Sequence, residues 1–259
     1  TYTWDFDDGT DPIEGRQIQH RFSDDGVFTV TVTVTDGDGG SAQRTAEITV
    51  GNVDPLLLLF DGPERVAEGS EFRFLTIASD VPNDTLTYRW ELEDGPTREG
   101  LDETQVTHTY PDNGVFTVTL TIRDEDGGSV TESRELEVFN VAPTIIEIIG
   151  DFSGDEGEEL GWSARATDPG DDELTYAWAF GDSNDPNDVE FGRDVTHVYD
   201  EAGIYTLTLT VTDDDSGSVT VTRTINVGTA GPSISRLDGP TDGLEAQALT
   251  FTITATDPT

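Results

Sequence analysis

Three stretches of this chain share one alternation of apolar and polar positions. In residues 114–124, Phe116, Val118, Leu120 and Ile122 fall in one register, and Thr117, Thr119 and Thr121 fall in the other. Period two in aromatic and β-branched residues predicts a strand with one face in a core and one in water. The pattern returns over residues 26–36 and 203–213. The glycines that open the three stretches, Gly26, Gly114 and Gly203, stand 88 and 89 residues apart. A fixed period of this length predicts a tandem array.

The unit beginning at Asn52 sets the order of elements. After Pro55, the apolar run 56–60 ends at the turn Asp61, Gly62, Pro63. Glu68 and Gly69 lead into a second strand with Phe72, Phe74 and Ala78 facing inward. A third strand, 86–92, carries Leu86, Tyr88, Trp90 and Leu92 on one face. A weaker strand over 105–110 comes before the 114–124 strand, and a last one runs from 129 to 139. Short strands with turn signals between them, and no helical periodicity, predict an all-β protein of tandem immunoglobulin-like β-sandwiches arranged end to end. The boundaries are a partial domain at 1–51, whole domains at 52–140 and 141–229, and a partial domain at 230–259 that supplies only the first two strands. A window cut from a longer array accounts for both ends. The rival reading has the terminal strands of one chain completing the first sandwich of the next. The short linkers, 51–55 and 139–143, predict stacking in which each unit meets only its neighbours.

Charge narrows the partners. The chain has 54 Asp and Glu against 13 Lys and Arg, all of them arginine, for a formal charge of −41. Such a surface repels the phosphate backbone, so nucleic acid is not an expected partner. Adaptation to high salt and binding of hard divalent cations both produce this acidity. Cysteine is absent, so disulfides play no part. No apolar run is long enough to cross a membrane, and no direct membrane insertion is expected of this segment.

Trp4-Asp-Phe-Asp-Asp-Gly9, then His20 and Phe22, then Gly26 and Phe28 before the threonine-rich strand, resembles the PKD (polycystic-kidney-disease-type) domain. The third unit matches through Trp178-Ala-Phe-Gly-Asp182 and Tyr199 to Tyr205. The second departs, with Leu92 and Glu93 where the family usually has Phe and Gly. The resemblance implies an extracellular sandwich module used as spacer, adhesive or carbohydrate-proximal unit, often in tandem, sometimes calcium-bound, and not catalytic.

Trp4, Trp90 and Trp178 lie in the apolar register and are expected in the core. His20, His108 and His197 occur once per unit, which suits a structural role beside the tryptophan-strand aromatics better than a metal site or a triad. Carboxylate pairs are too common here to indicate hydrolysis, and no enzyme is expected. Some acidic residues recur in place, however. Asp124 and Asp126, like Asp213 and Asp215, stand two apart after the threonine-rich strand. Asp80 and Asp168 end the second strand of each unit, with Asp84 and Asp172 four residues on, and Asn52 and Asn140 precede the linker prolines. Ordinary turn chemistry would explain them. The reading adopted is Ca²⁺ at the junctions. Asn140, Asp168, Asp172, Asp213 and Asp215 are expected to meet Glu68 of the preceding unit, and Asn52, Asp80, Asp84, Asp124 and Asp126 to gather likewise. The expected function is structural or adhesive, as a calcium-stiffened spacer or a fibre or surface-layer component at the cell surface or outside it. Neighbouring repeats, and further copies in a fibre or lattice, are the expected partners. The alternative is a carbohydrate- or protein-binding accessory module of a secreted enzyme.

Overall fold

The computed structural model describes residues 1–82, 84–183 and 189–256. Asn83, which opens the lone glycosylation sequon Asn83-Asp-Thr85, and Asp257, the counterpart of Asp80 and Asp168 in the last partial repeat, lie outside the described residues. All regular elements among the described residues are strands. The chain forms two compact units, Thr1–Phe139 and Asn140–Thr259.

In the first unit, residues 56–139 make a two-sheet sandwich. One sheet orders Gln105–His108, Phe72–Ser79 and Leu56–Asp61. The other orders Arg65–Ala67, Ser129–Phe139, Gly114–Arg123, Thr87–Leu92 and Thr97–Gly100. The chain changes sheets at Gly62. A Cβ there would lie 2.2 Å from the Phe74 ring, so only glycine lets the crossing strand pass over that aromatic. Arg65–Ala67 then pairs parallel to Ser129–Phe139. The period-two residues do what their register requires. Val118, Leu120 and Ile122 of the threonine-rich strand are fully buried with Trp90, Phe74 and Leu136. The Trp90 indole donates to the Glu103 carbonyl at 2.7 Å, so burial leaves no orphaned N–H.

The second unit repeats this plan over residues 144–228, with Trp162 and Trp178 in the core and the indole of Trp178 donating to Gly192 O at 2.9 Å. A hairpin, Ser233–Asp238 with Thr252–Thr256, follows. It has the pairing shift seen between Leu57 and Leu59 in the first unit.

Trp4 corrects the expectation of three core tryptophans: it is half-buried. Residues 1–50 supply a single four-stranded sheet, and the strands that cover Trp90 with Phe60 and Phe74 have no counterparts there. The short strands Arg65–Ala67 and Thr97–Gly100 are further elements that the apolar pattern does not reveal.

Candidate functional site

The loop after each threonine-rich strand is wound around one carboxylate. Asp124 accepts the Gly128 N–H at 2.7 Å and the Asp126 N–H at 3.1 Å on Oδ1, and the Asn52 amide at 2.8 Å on Oδ2. Its backbone N–H donates to Gly128 O, closing the loop. A Cβ on Gly128 would fall 2.3 Å from Asp124 Oδ2 and 2.7 Å from Asn52 Nδ2, so only glycine fits there, and Gly127 before it takes a left-handed φ of 99°. Burial pushes the Asp124 carboxyl up, but the hydrogen bonds from Asn52 and the loop amides outweigh it and hold its pKa below the usual carboxylate range. Asp213 is built the same way: Gly217 N–H donates to Oδ1 at 2.6 Å and the Asn140 amide to Oδ2 at 3.2 Å. Gly217, too, has no room for a Cβ beside Asp213 Oδ2, 2.4 Å away.

Onto these carboxylates converge the acids that end the second strand of each sandwich. One oxygen from each of Asp80, Asp84 and Asp124 lies within 4.8 Å of the others, and Asp168, Asp172 and Asp213 make the matching group in the second unit. Asp80 Oδ2, Asp168 Oδ2 and Asn140 Oδ1 are shielded from solvent without a hydrogen-bond partner. Unpaired buried oxygens are costly unless something positive reaches them. Asp84 shows the strain, its pKa raised by desolvation and then by Asp80, Asp24, Asp124 and Glu125. The donors of both groups are all oxygen, which suits a hard cation.

Asp126 and Asp215 do not join these groups. The loops are closed turns rather than extended segments, so period-two geometry does not hold there. Asp126 lies instead with Asp24 and Asp25 of the first repeat, and Asp215 with Asp172 and Asp214. Desolvation and the charge and hydrogen bond of Asp25 push Asp126 up to about 6. Asp24, Asp25 and Asp214 were not singled out in the sequence. The available signal was weak, an acid just ahead of the corner glycine in one case and a third acid in the Asp213 run in the other.

Glu68 is fully buried, and its N–H donates to Phe139 O. Its counterpart Glu156 shows what a carboxylate at this position does within one unit. It accepts Ala202 N–H on one oxygen and Ala230 N–H on the other, both at 3.0 Å. A buried glutamate thus ties the corner before Gly203 to the outgoing linker.

The histidines are structural. His20 stacks on Phe6 at 3.7 Å and His197 on Phe180 at 4.0 Å, and each holds a carboxylate, Asp8 or Asp182. His108 lacks this arrangement because Leu92 replaces the phenylalanine and the turn shifts, with Asp94 taking φ 54°. It packs edge-on to Phe72 and Tyr110 instead, and burial lowers its pKa.

Paired antiparallel sheets around a buried tryptophan, repeated along one chain, define tandem immunoglobulin-like sandwich modules. The chain belongs to the PKD domain family, whose family model matches residues 1–50, 52–138 and 140–228. Among curated relatives, Polycystin-1 of Homo sapiens is 25% identical over 224 residues, covering 81% of this chain and 5% of that protein. Chitinase A of Pseudoalteromonas piscicida is 28% identical over 127 residues, 46% of this chain and 15% of the enzyme. The solved PKD1 domain of Vibrio anguillarum Epp is 32% identical, covering 35% of this chain and 98% of that one, with a TM-score of 0.28. The chain therefore spans only a small part of these curated relatives.

Proposed function

We propose that this chain is a structural segment of an extracellular repeat protein, a spacer whose repeat junctions Ca²⁺ stiffens. One observation carries the reading. The same oxygen cluster is built twice, each time against the linker asparagine that leads into the repeat, and each time with oxygens that have lost water and gained no donor. Asp80, Asp84 and Asp124 with Asn52 would hold one ion, and Asp168, Asp172 and Asp213 with Asn140 the other. A bound Ca²⁺ supplies positive charge and takes oxygen ligands from separate loops at once. The protein's part is to hold the linker asparagine, the loop carboxylate and the strand-end acids in one place. Calorimetric titration of CaCl₂ into the chelator-treated chain tests this. At least two sites are expected, Asp84→Asn should weaken only one of them, and Asp172→Asn only the other. A chain that takes up no Ca²⁺ above the non-specific level of a salt-matched acidic control overturns the reading.

The second reading is an accessory module of a secreted enzyme, favoured by the similarity to Chitinase A. A catalytic domain in the same polypeptide would support it.

A further inference from the structure

Register across the three repeats exposes a difference that neither the acidic loops nor the cores explain. On the outer face of the threonine-rich sheet, the first and second repeats carry charges at matching positions. Next to the strand tryptophan (Trp4 or Trp90) stand Asp5 and Glu91, on the edge strand Glu14 and Glu99, and on the last strand Glu47 and Glu135. The third repeat has Ala179, Phe191 and Thr224 at those positions. Glu137 of the second repeat becomes Asn226. The outward register of the three central strands, Thr175–Ala179, Gly203–Thr212 and Ser218–Gly228, is left with threonine, serine, alanine, Ile204, Asn226 and Gly228 and no charge. The carboxylate of Asp155 stands at the edge, on the strand Ser153–Asp155 beside Gly228. Two large apolar side chains stand out on it: Ile204 is 79% exposed and Phe191 68%. Cross-strand hydroxyl contacts such as Thr210 to Thr220 at 3.0 Å order the face.

We infer that this face is a lateral contact between copies of this chain. Charge identifies the occupant. Two chains of −41 repel over most of their surfaces, and a face whose three central strands carry no carboxylate is where they can approach. A polysaccharide site has no such need, since a neutral sugar does not penalise charged hydrogen-bonding groups. Short threonine and alanine side chains leave room for close approach of a second sheet, with Phe191 and Ile204 as anchors at the rim of a charge-depleted core. From strand spacings the face covers roughly 300–400 Å². That is about half of the ~800 Å² per partner of a stable interface, so the pair is weak in isolation and gains strength by repetition along an array. The inference rests on the structural reading above and deepens it by naming the lateral partner.

Sedimentation equilibrium of the 259-residue chain over a series of NaCl concentrations, with calcium and with chelator, tests it. Self-association should tighten as salt rises, because screening removes repulsion and no ion pairs are lost. Phe191→Glu, Ala179→Glu and Thr224→Glu restore residues that the other repeats tolerate, so they should fold and weaken association at least about tenfold. A chain that stays monomeric at every salt concentration overturns the inference. So does association that survives these variants and disappears with Phe251→Ser on the exposed hairpin, or a monomer that binds insoluble neutral polysaccharide through Phe191. Failure here with calcium uptake intact leaves the junction reading standing, whereas loss of calcium uptake alone would count against that reading and not this one.

Discussion

Asp213→Asn is the sharpest local perturbation, because the cluster predicts opposite effects with and without metal. The Asp168, Asp172 and Asp213 oxygens lie within 4.8 Å of one another. At an effective dielectric near 20 each pair of charges repels by roughly 3 kcal/mol before relaxation. Asparagine removes two of the three pair repulsions. It retains an oxygen for the Gly217 N–H and loses the charge that attracts the Asn140 amide. After relaxation and the weakened hydrogen bonds, about 1 kcal/mol of stabilisation should remain in chelator. In calcium at a hundred times the dissociation constant the parent gains about 2.7 kcal/mol from binding, and a variant that binds ten- to a hundredfold more weakly forfeits about 1.3–2.3 kcal/mol of it. The substitution should therefore raise the melting temperature of the 144–228 sandwich in chelator by about 4–8 °C and lower it in calcium. Scanning calorimetry at fixed ionic strength reads both. A fall of equal size in the two conditions would show that Asp213 is only a turn residue serving Gly217.

Trp178→Ala should cost about 3–5 kcal/mol, since the side chain is fully buried and its loss also strands the Gly192 carbonyl; a change under about 1 kcal/mol in denaturant unfolding would refute the core assignment. The Asp126 carboxyl, with a folded pKa near 6, is less favourably ionised in the fold than in the unfolded chain, so without metal its penalty is present above pH 6 and is relieved as pH falls towards the unfolded value near 4. Melts in chelator should rise over that window, and Asp126→Asn should flatten the rise. Glu156→Ala should cost about 2–4 kcal/mol by leaving the Ala202 and Ala230 amides unpaired, and should speed hydrogen exchange at both, whereas Glu156→Gln, which keeps an acceptor, should cost less.

What could be read in the sequence was whatever strict alternation encodes. Trp90, Trp178 and the inward Val118, Leu120 and Ile122 follow from period two alone. Trp4 shares the register of Trp90 but not its burial, because burial needs a second sheet that residues 1–50 do not supply. Arg65–Ala67 leaves no pattern because three residues are too few for an alternation, and Thr97–Gly100 because it carries no large apolar residue, as is common in edge strands. Asp80, Asp84 and Asp124 were legible as a set because they recur at fixed offsets in the next repeat. Asp24 and Asp25 were not, since they reach Asp126 from a different repeat and no spacing records that approach. The uncharged face of the third repeat became visible only when pairing placed Phe191 opposite Ala177 and fixed its equivalence with Glu14 and Glu99.

Small-angle scattering of the whole chain, with calcium and after chelation at matched ionic strength, tests most directly whether calcium stiffens the junctions. Chelation should broaden the interdomain distance distribution at temperatures well below the melting of the sandwiches, whose cores contain no cluster residue, and restored calcium should reverse the change. Identical scattering with and without calcium, together with an unchanged melting temperature, would contradict the account and leave the acidic loops as turns on a salt-adapted surface.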